Sequence, residues 1–121
     1  MMIGSSPPYQ CLFSKSPTSP EPAKEFTETD TIYAHVTLKG LAKGDHVLEG
    51  VWYRPNGVRQ AVAKVPFVSK PGEPNRLFTW LKFEVPVRPF DFLGIMERET
   101  WRVKLAVDGQ PLGEKEFMVW R

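Results

Sequence analysis

The sequence holds a single cysteine, Cys11, so no disulfide can close within the chain and no zinc site can be built from cysteine pairs. "SPPYQC" lacks the apolar run and small residues that precede a lipid-anchor cysteine, which favours an incidental thiol. Excess charge of either sign is also missing: 16 basic residues face 14 acidic ones, for a net +2. Neither nucleic acid nor an anionic membrane is therefore expected as a partner, since both require a clustered basic surface. No apolar run approaches the ~18 residues of a spanning helix. "MMIGSSPPYQ" has neither the basic start nor the apolar centre of a secretory signal, although a signal lost from a mature chain stays open. No segment carries a sustained 3.6-residue period, so long helices are not expected.

Catalytic chemistry is equally sparse. There are only two histidines, His35 and His46, and no G-x-S-x-G frame stands near either. Cys11 lies in a Pro/Ser-rich stretch, a poor place to hold a nucleophile in fixed geometry. "GDH" at 44–46, the lone carboxylate of "FDF" at 90–92, and the alternating Glu97 and Glu99 do not combine into an oxygen-ligand loop. "GLAKGD" lacks the spacing and following helix of a phosphate cradle. The expectation is a protein that is not an enzyme and needs no cofactor or metal.

What the sequence has in quantity is extended-chain patterning. Residues 1–25 read as a Pro/Ser-rich arm, because "SSPPYQCLFSKSPTSPEPAK" carries five prolines and five serines. Proline removes donors and fixes φ, so this stretch is neither a central strand nor a helix. Tyr9, Leu12 and Phe13 leave two readings open, a short edge strand and a flexible leader. From residue 26 to 121 the reading is one β-domain. "TIYAHVTL" alternates strictly, with Ile32, Ala34, Val36 and Leu38 on one face and Tyr33, His35 and Thr37 on the other. "HVLEGVWYR" follows, with Leu48 and Trp52 together. "PNG" at 55–57 signals a tight turn, with Asn-Gly accepting positive φ. "VRQAVAKVPFV" returns, and Pro66 marks it as an edge or a strand end. "LFTWLKFEV" sets Leu77, Leu81, Phe83 and Val85 against Phe78 and Trp80. "PVRPFDFLGIMERE" reads as a crossover anchored by Phe90, Phe92 and Leu93.

The last hairpin is the clearest element. Trp101, Val103, Leu105 and Val107 share a face, Asp108-Gly109 closes a two-residue I′ turn, and Phe117 and Val119 return opposite Met118 and Trp120. Trp101 is expected in the core and Trp120 outside it. Six strands, or seven with the arm, recur about every ten residues, which predicts an antiparallel β-sandwich of about seven strands, with a small barrel as the alternative.

"GDHVLEGVWYRPNG" and "ETWRVKLAVDGQPLGEKEFMV" resemble immunoglobulin-like domains of bacterial envelope and secreted proteins over roughly residues 30 to 120. The resemblance implies an immunoglobulin-like sandwich, Trp52 as a core tryptophan, and a periplasmic or secreted setting, with a cytoplasmic one left open. The chain departs from antibody-type domains: it has no cysteine pair between sheets and no tyrosine near the start of the penultimate strand. The fold hosts many roles, so function must come from the surface.

Side-chain alternation puts Tyr33, His35, Phe78 and Trp80 outward, and in an immunoglobulin-like topology their strands are neighbours. These four residues form the candidate partner-binding patch. Tyr53, Arg102, Lys104, Met118 and Trp120 form a second outer set. Aromatics and arginine are enriched at contact hot spots. The expected partner is another protein or a second copy of the chain. The alternative is a carbohydrate, with Trp80, Phe78 and Tyr33 as a stacking platform. Against both stands the possibility that the arm folds over the patch, or that a bulge reverses the parity.

Overall fold

The computed structural model describes residues 9–18, 21–27, 30–70, 72–82 and 98–120. The described residues are all β, with no helix. The eight strands are β1 (Tyr9–Ser14), β2 (Glu25–Thr27), β3 (Thr31–Leu38), β4 (Gly44–Tyr53), β5 (Arg59–Ser69), β6 (Asn75–Lys82), β7 (Arg98–Val107) and β8 (Gln110–Trp120). They form a three-stranded sheet ordered β1-β3-β6 and a five-stranded sheet ordered β2-β8-β7-β4-β5. All pairings are antiparallel except β2 with β8, which is parallel.

The alternation in the sequence becomes two faces. Ile32, Ala34, Val36 and Leu38 of β3 are buried against Leu48 and Trp52 of β4 and the row Trp101, Val103, Leu105 and Val107 of β7. Burying the larger aliphatic side chains of these rows stabilises by about 1.5–3 kcal/mol each, which fixes the register, since a one-residue slip would turn the whole row to water. The five-stranded and three-stranded sheets approach closely at Gly50 of β4. A Cβ there would stand 2.9 Å from Cγ2 of the buried Thr79 of β6, so only glycine fits without a shift.

The stretch read as an arm contributes structure. Tyr9–Ser14 is an edge strand beside β3, which resolves the two readings left open for Tyr9, Leu12 and Phe13. Phe13, Phe26 and Phe117 form a ring cluster with centroids 4.9 to 6.4 Å apart, and Trp52 joins it at 5.6 Å from Phe117. Between β1 and β2, Ala23 N–H donates to the Phe13 carbonyl, and Met118 N–H donates to the Lys24 carbonyl. The chain thus leaves one sheet and joins the other. Pro17 and Pro22 lie in that connection, where missing donors prevent strand continuation.

The last hairpin turns through Asp108 at φ 50° and Gly109 at φ 82°, the paired positive φ of a I′ turn. The "PNG" turn differs in detail from the sequence reading. Gly57 takes positive φ (85°), but Asn56 does not; Gly57 N–H donates to the Arg54 carbonyl and the Asn56 side chain accepts from Val58 N–H. Proline at the second turn position selects this arrangement, and the ladder absorbs the extra residue as a register shift at Trp52/Tyr53. The expected continuation of the fourth sequence-read strand through Phe83 and Val85, and the crossover with Phe90, Phe92 and Leu93, lie outside the described residues.

Candidate binding face

Three cross-strand rows cross the outer face of the three-stranded sheet. They are Ser14–Tyr33–Trp80, Leu12–His35–Phe78 and Gln10–Thr37–Arg76. The structure therefore brings together all four sequence-predicted residues, Tyr33, His35, Phe78 and Trp80. Tyr33 and Phe78 meet edge to face at 5.7 Å, His35 and Phe78 at 5.9 Å, and Phe78 and Trp80 at 6.0 Å. Trp80 is 53% exposed and Phe78 36%. Water is thus left against two large rings that strand parity turns away from the core.

His35 is half-buried and fixed. The Ser16 carbonyl accepts from its Nε2 at 2.8 Å, so that nitrogen carries a hydrogen, and the Ser14 hydroxyl lies 2.8 Å from the same atom. The turn after β1 therefore shields the histidine and leaves Trp80 open. Among the described residues of the arm, covering of the patch, held open on the sequence, is confined to this corner.

Beside the rings lies an open groove of about 640 Å³, lined by Gln10, Leu12, Pro17, His35, Thr37, Arg76 and Phe78. Its lining combines the apolar Leu12, Pro17 and Phe78 with an amide, a hydroxyl and a guanidinium. The sequence reading missed Gln10, Leu12, Thr37 and Arg76 as members of this site. Their outward parity was legible; the register aligning β1 and β6 on either side of β3 was not.

The second outer set, on the five-stranded sheet, is capped by cations. Lys104 Nζ stands 5.0 Å over Tyr53, and the Arg98 guanidinium 5.8 Å over Trp120. Arg98 pairs with Glu25 at 3.7 Å, Arg102 with Glu114 at 3.5 Å, and Thr100 donates to the Met118 sulfur.

Cys11 and His46 are tied up. Cys11 belongs to β1 and not to a loose arm, correcting its sequence placement, and burial pushes its thiol up to about 11. A thiol so disfavoured as thiolate is a poor nucleophile. His46 donates from Nε2 to the Ala42 carbonyl at 2.7 Å and from Nδ1 to the Asp108 carboxylate at 2.6 Å. Asp108 also accepts from Val47 N–H at 2.9 Å. The carbonyl, then the carboxylate, raise the histidine pKa; the His46 and Val47 donors lower that of Asp108. Among the described residues, no group of three or more His, Cys, Asp or Glu is placed to share a cation. No described helix is long and apolar enough to cross a membrane.

No family model matches the chain, and no curated protein matches it either. Among solved structures it is similar to a crystal structure described as a candidate beta-galactosidase from Bacteroides fragilis, at 14% identity and a TM-score of 0.48. That similarity covers 89% of this chain and 15% of the other, so the chain spans a small part of that protein's length.

Proposed function

We propose that this chain is a non-catalytic binding module of immunoglobulin-like topology whose contact surface is the outer face of the β1-β3-β6 sheet. The strand order supports the topology. Lettered by the immunoglobulin scheme, β3 and β6 stand as B and E, and β4, β7 and β8 as C, F and G. The crossing of the N-terminal chain to lie parallel to the last strand fits the same scheme. The buried thiol of Cys11 and the committed ring nitrogens of His46 support the absence of catalysis. The periplasmic or secreted setting rests on the family resemblance alone.

One observation carries the binding assignment: Trp80 and Phe78 stay exposed at the end of a ring ladder anchored by Tyr33 and His35. Exposed aromatics on a rigid sheet offer large contact area at small entropic cost. The rings favour a protein partner. Phe78 is turned 72° from Tyr33 and 49° from Trp80, so they make separate sockets for side chains and no common plane for a flat polysaccharide.

A carbohydrate remains the second reading because of the groove. Its mixed lining of apolar Leu12 and Phe78 with polar Gln10, Thr37 and Arg76 suits a glycan end that stacks and hydrogen-bonds. Both readings are tested by a photo-crosslinking residue at position 80, with the same residue at exposed Glu73 as control, and by a glycan array. A defined adduct specific to position 80 supports the protein partner. Glycan binding lost in Trp80→Ala and Arg76→Ala supports the sugar. Equal crosslinking from both positions with a blank array contradicts the assignment.

A further inference from the structure

A different face carries an inference independent of the aromatic ladder. On the outer side of the β4–β5 hairpin the cross-strand pairs run Asp45–Val68, Val47–Pro66, Glu49–Lys64 and Val51–Val62. Val47, Val62 and Val68 are 38%, 46% and 61% exposed. Three of the exposed large hydrophobics of the described residues thus share one sheet face, and exposed apolar clusters of this kind mark contact surfaces. At their centre Glu49 and Lys64 stand opposite each other, yet neither side chain joins an ion pair among the described residues.

The edge of this hairpin is interrupted for strand addition at Pro66. Val47 N–H and C=O both turn to Asp108 of the β7–β8 turn, donating to its carboxylate and accepting from its N–H. Val47–Pro66 is therefore a non-hydrogen-bonded pair, and the nitrogen of Pro66 faces the free edge with no hydrogen to give. A neighbour can approach the hairpin's face but finds a broken ladder at its edge.

We propose that two copies of this chain pack through this face, sheet against sheet, about a two-fold axis running parallel to the strands between β4 and β5. Such an axis carries β4 of one copy over β5 of the other at the same height. Glu49 then meets the partner's Lys64, Val51 the partner's Val62, and Val47 the partner's Pro66. A two-fold axis perpendicular to the strands would instead set Glu49 on the partner's Glu49, which like charge opposes. About the first axis the Glu49–Lys64, Val51–Val62 and Val47–Pro66 positions complement one another, with Asp45 set beside the partner's Val68 at the end of the row, and such self-complementarity is the condition an isologous dimer must meet. The Glu49–Lys64 contacts fix register more than they add affinity, and the valines supply the apolar contact.

The test is mass by light scattering and sedimentation equilibrium over a concentration series. Wild type is expected to approach dimer mass at high concentration. E49K and K64E alone are each expected to fall to monomer mass, because each sets like charges together. An equimolar mixture of the two single variants is expected to recover dimer mass, since each supplies the charge the other needs; recovery also demonstrates that both fold. W80A is expected to match wild type. Wild type that stays monomeric, E49K that keeps dimer mass, a mixture that fails to recover, or W80A that loses the dimer each overturns the proposal.

Discussion

Trp80 and Trp120 are both outward-facing tryptophans near strand ends, yet they present opposite surfaces. Opposite Trp80 across the ladder stands Tyr33; opposite Trp120 stands Arg98, whose guanidinium covers the indole and pairs with Glu25. The same contrast runs through each face. Phe78 meets both Tyr33 and Trp80, whereas Tyr53 lies under Lys104. An outward aromatic is open or covered according to its cross-strand partner, so residue type and parity together do not define a contact surface. Among the described residues no cation stands over the Tyr33–Phe78–Trp80 ladder, the face proposed above for a protein partner.

The contrast requires a common core beneath both faces. Trp52→Ala and Trp101→Ala are expected to cost about 3–5 kcal/mol each in urea-denaturation midpoints, because both indoles are fully buried. A loss near that of a surface substitution would dissolve the two faces together. The next effect lies at the close approach of β4 to β6. Gly50→Ala pushes a methyl against stiff, β-branched Thr79 and is expected to cost about 1–3 kcal/mol; Gly50→Ala combined with Thr79→Ser should recover part of it.

A smaller, pH-dependent effect belongs to the five-stranded side. The folded-state pKa of His46 is raised, so its contribution is complete below the ordinary histidine value of 6.5 and fades as pH climbs through the raised value. That of Asp108 is lowered, so its contribution is complete above 3.8 and fades as pH falls through the lowered value. The stability difference between wild type and His46→Gln is therefore expected to be greatest between pH 3.8 and 6.5 and to shrink at alkaline pH. A difference constant with pH would mean that the ring carries no charge in this contact. Smallest of all, Trp80→Ala and Lys104→Ala should each move stability by no more than about 0.5 kcal/mol, while only Trp80→Ala alters partner binding.

Much of this was legible from local pattern. The period of two in "TIYAHVTL" and "WRVKLAV" separates buried from outward residues correctly, and Asp108-Gly109 marks its turn. The outward set Tyr33, His35, Phe78 and Trp80 follows from that period. What was not legible depends on register and on contacts distant in sequence. Leu12 and Arg76 join the face only because β1 and β6 align with β3 at those positions. The prolines around Tyr9–Ser14 conceal a strand, since they mark its ends and say nothing of its centre. His46 reaches Asp108 across 62 residues, a contact no window of the sequence contains. The covering of Trp120 by Arg98 needs the hairpin register, which the bulge at Leu105/Ala106 shifts away from a simple count.

The alternation of faces, with one aromatic ladder left open, is tested most directly by fluorine NMR of protein labelled with 5-fluorotryptophan, reading the solvent isotope shift of its four resonances between H2O and D2O. The expected order is Trp80 largest, Trp120 intermediate, and Trp52 and Trp101 near zero. A Trp80 resonance as protected as that of Trp52, or a solvent-exposed Trp52 or Trp101, would contradict it.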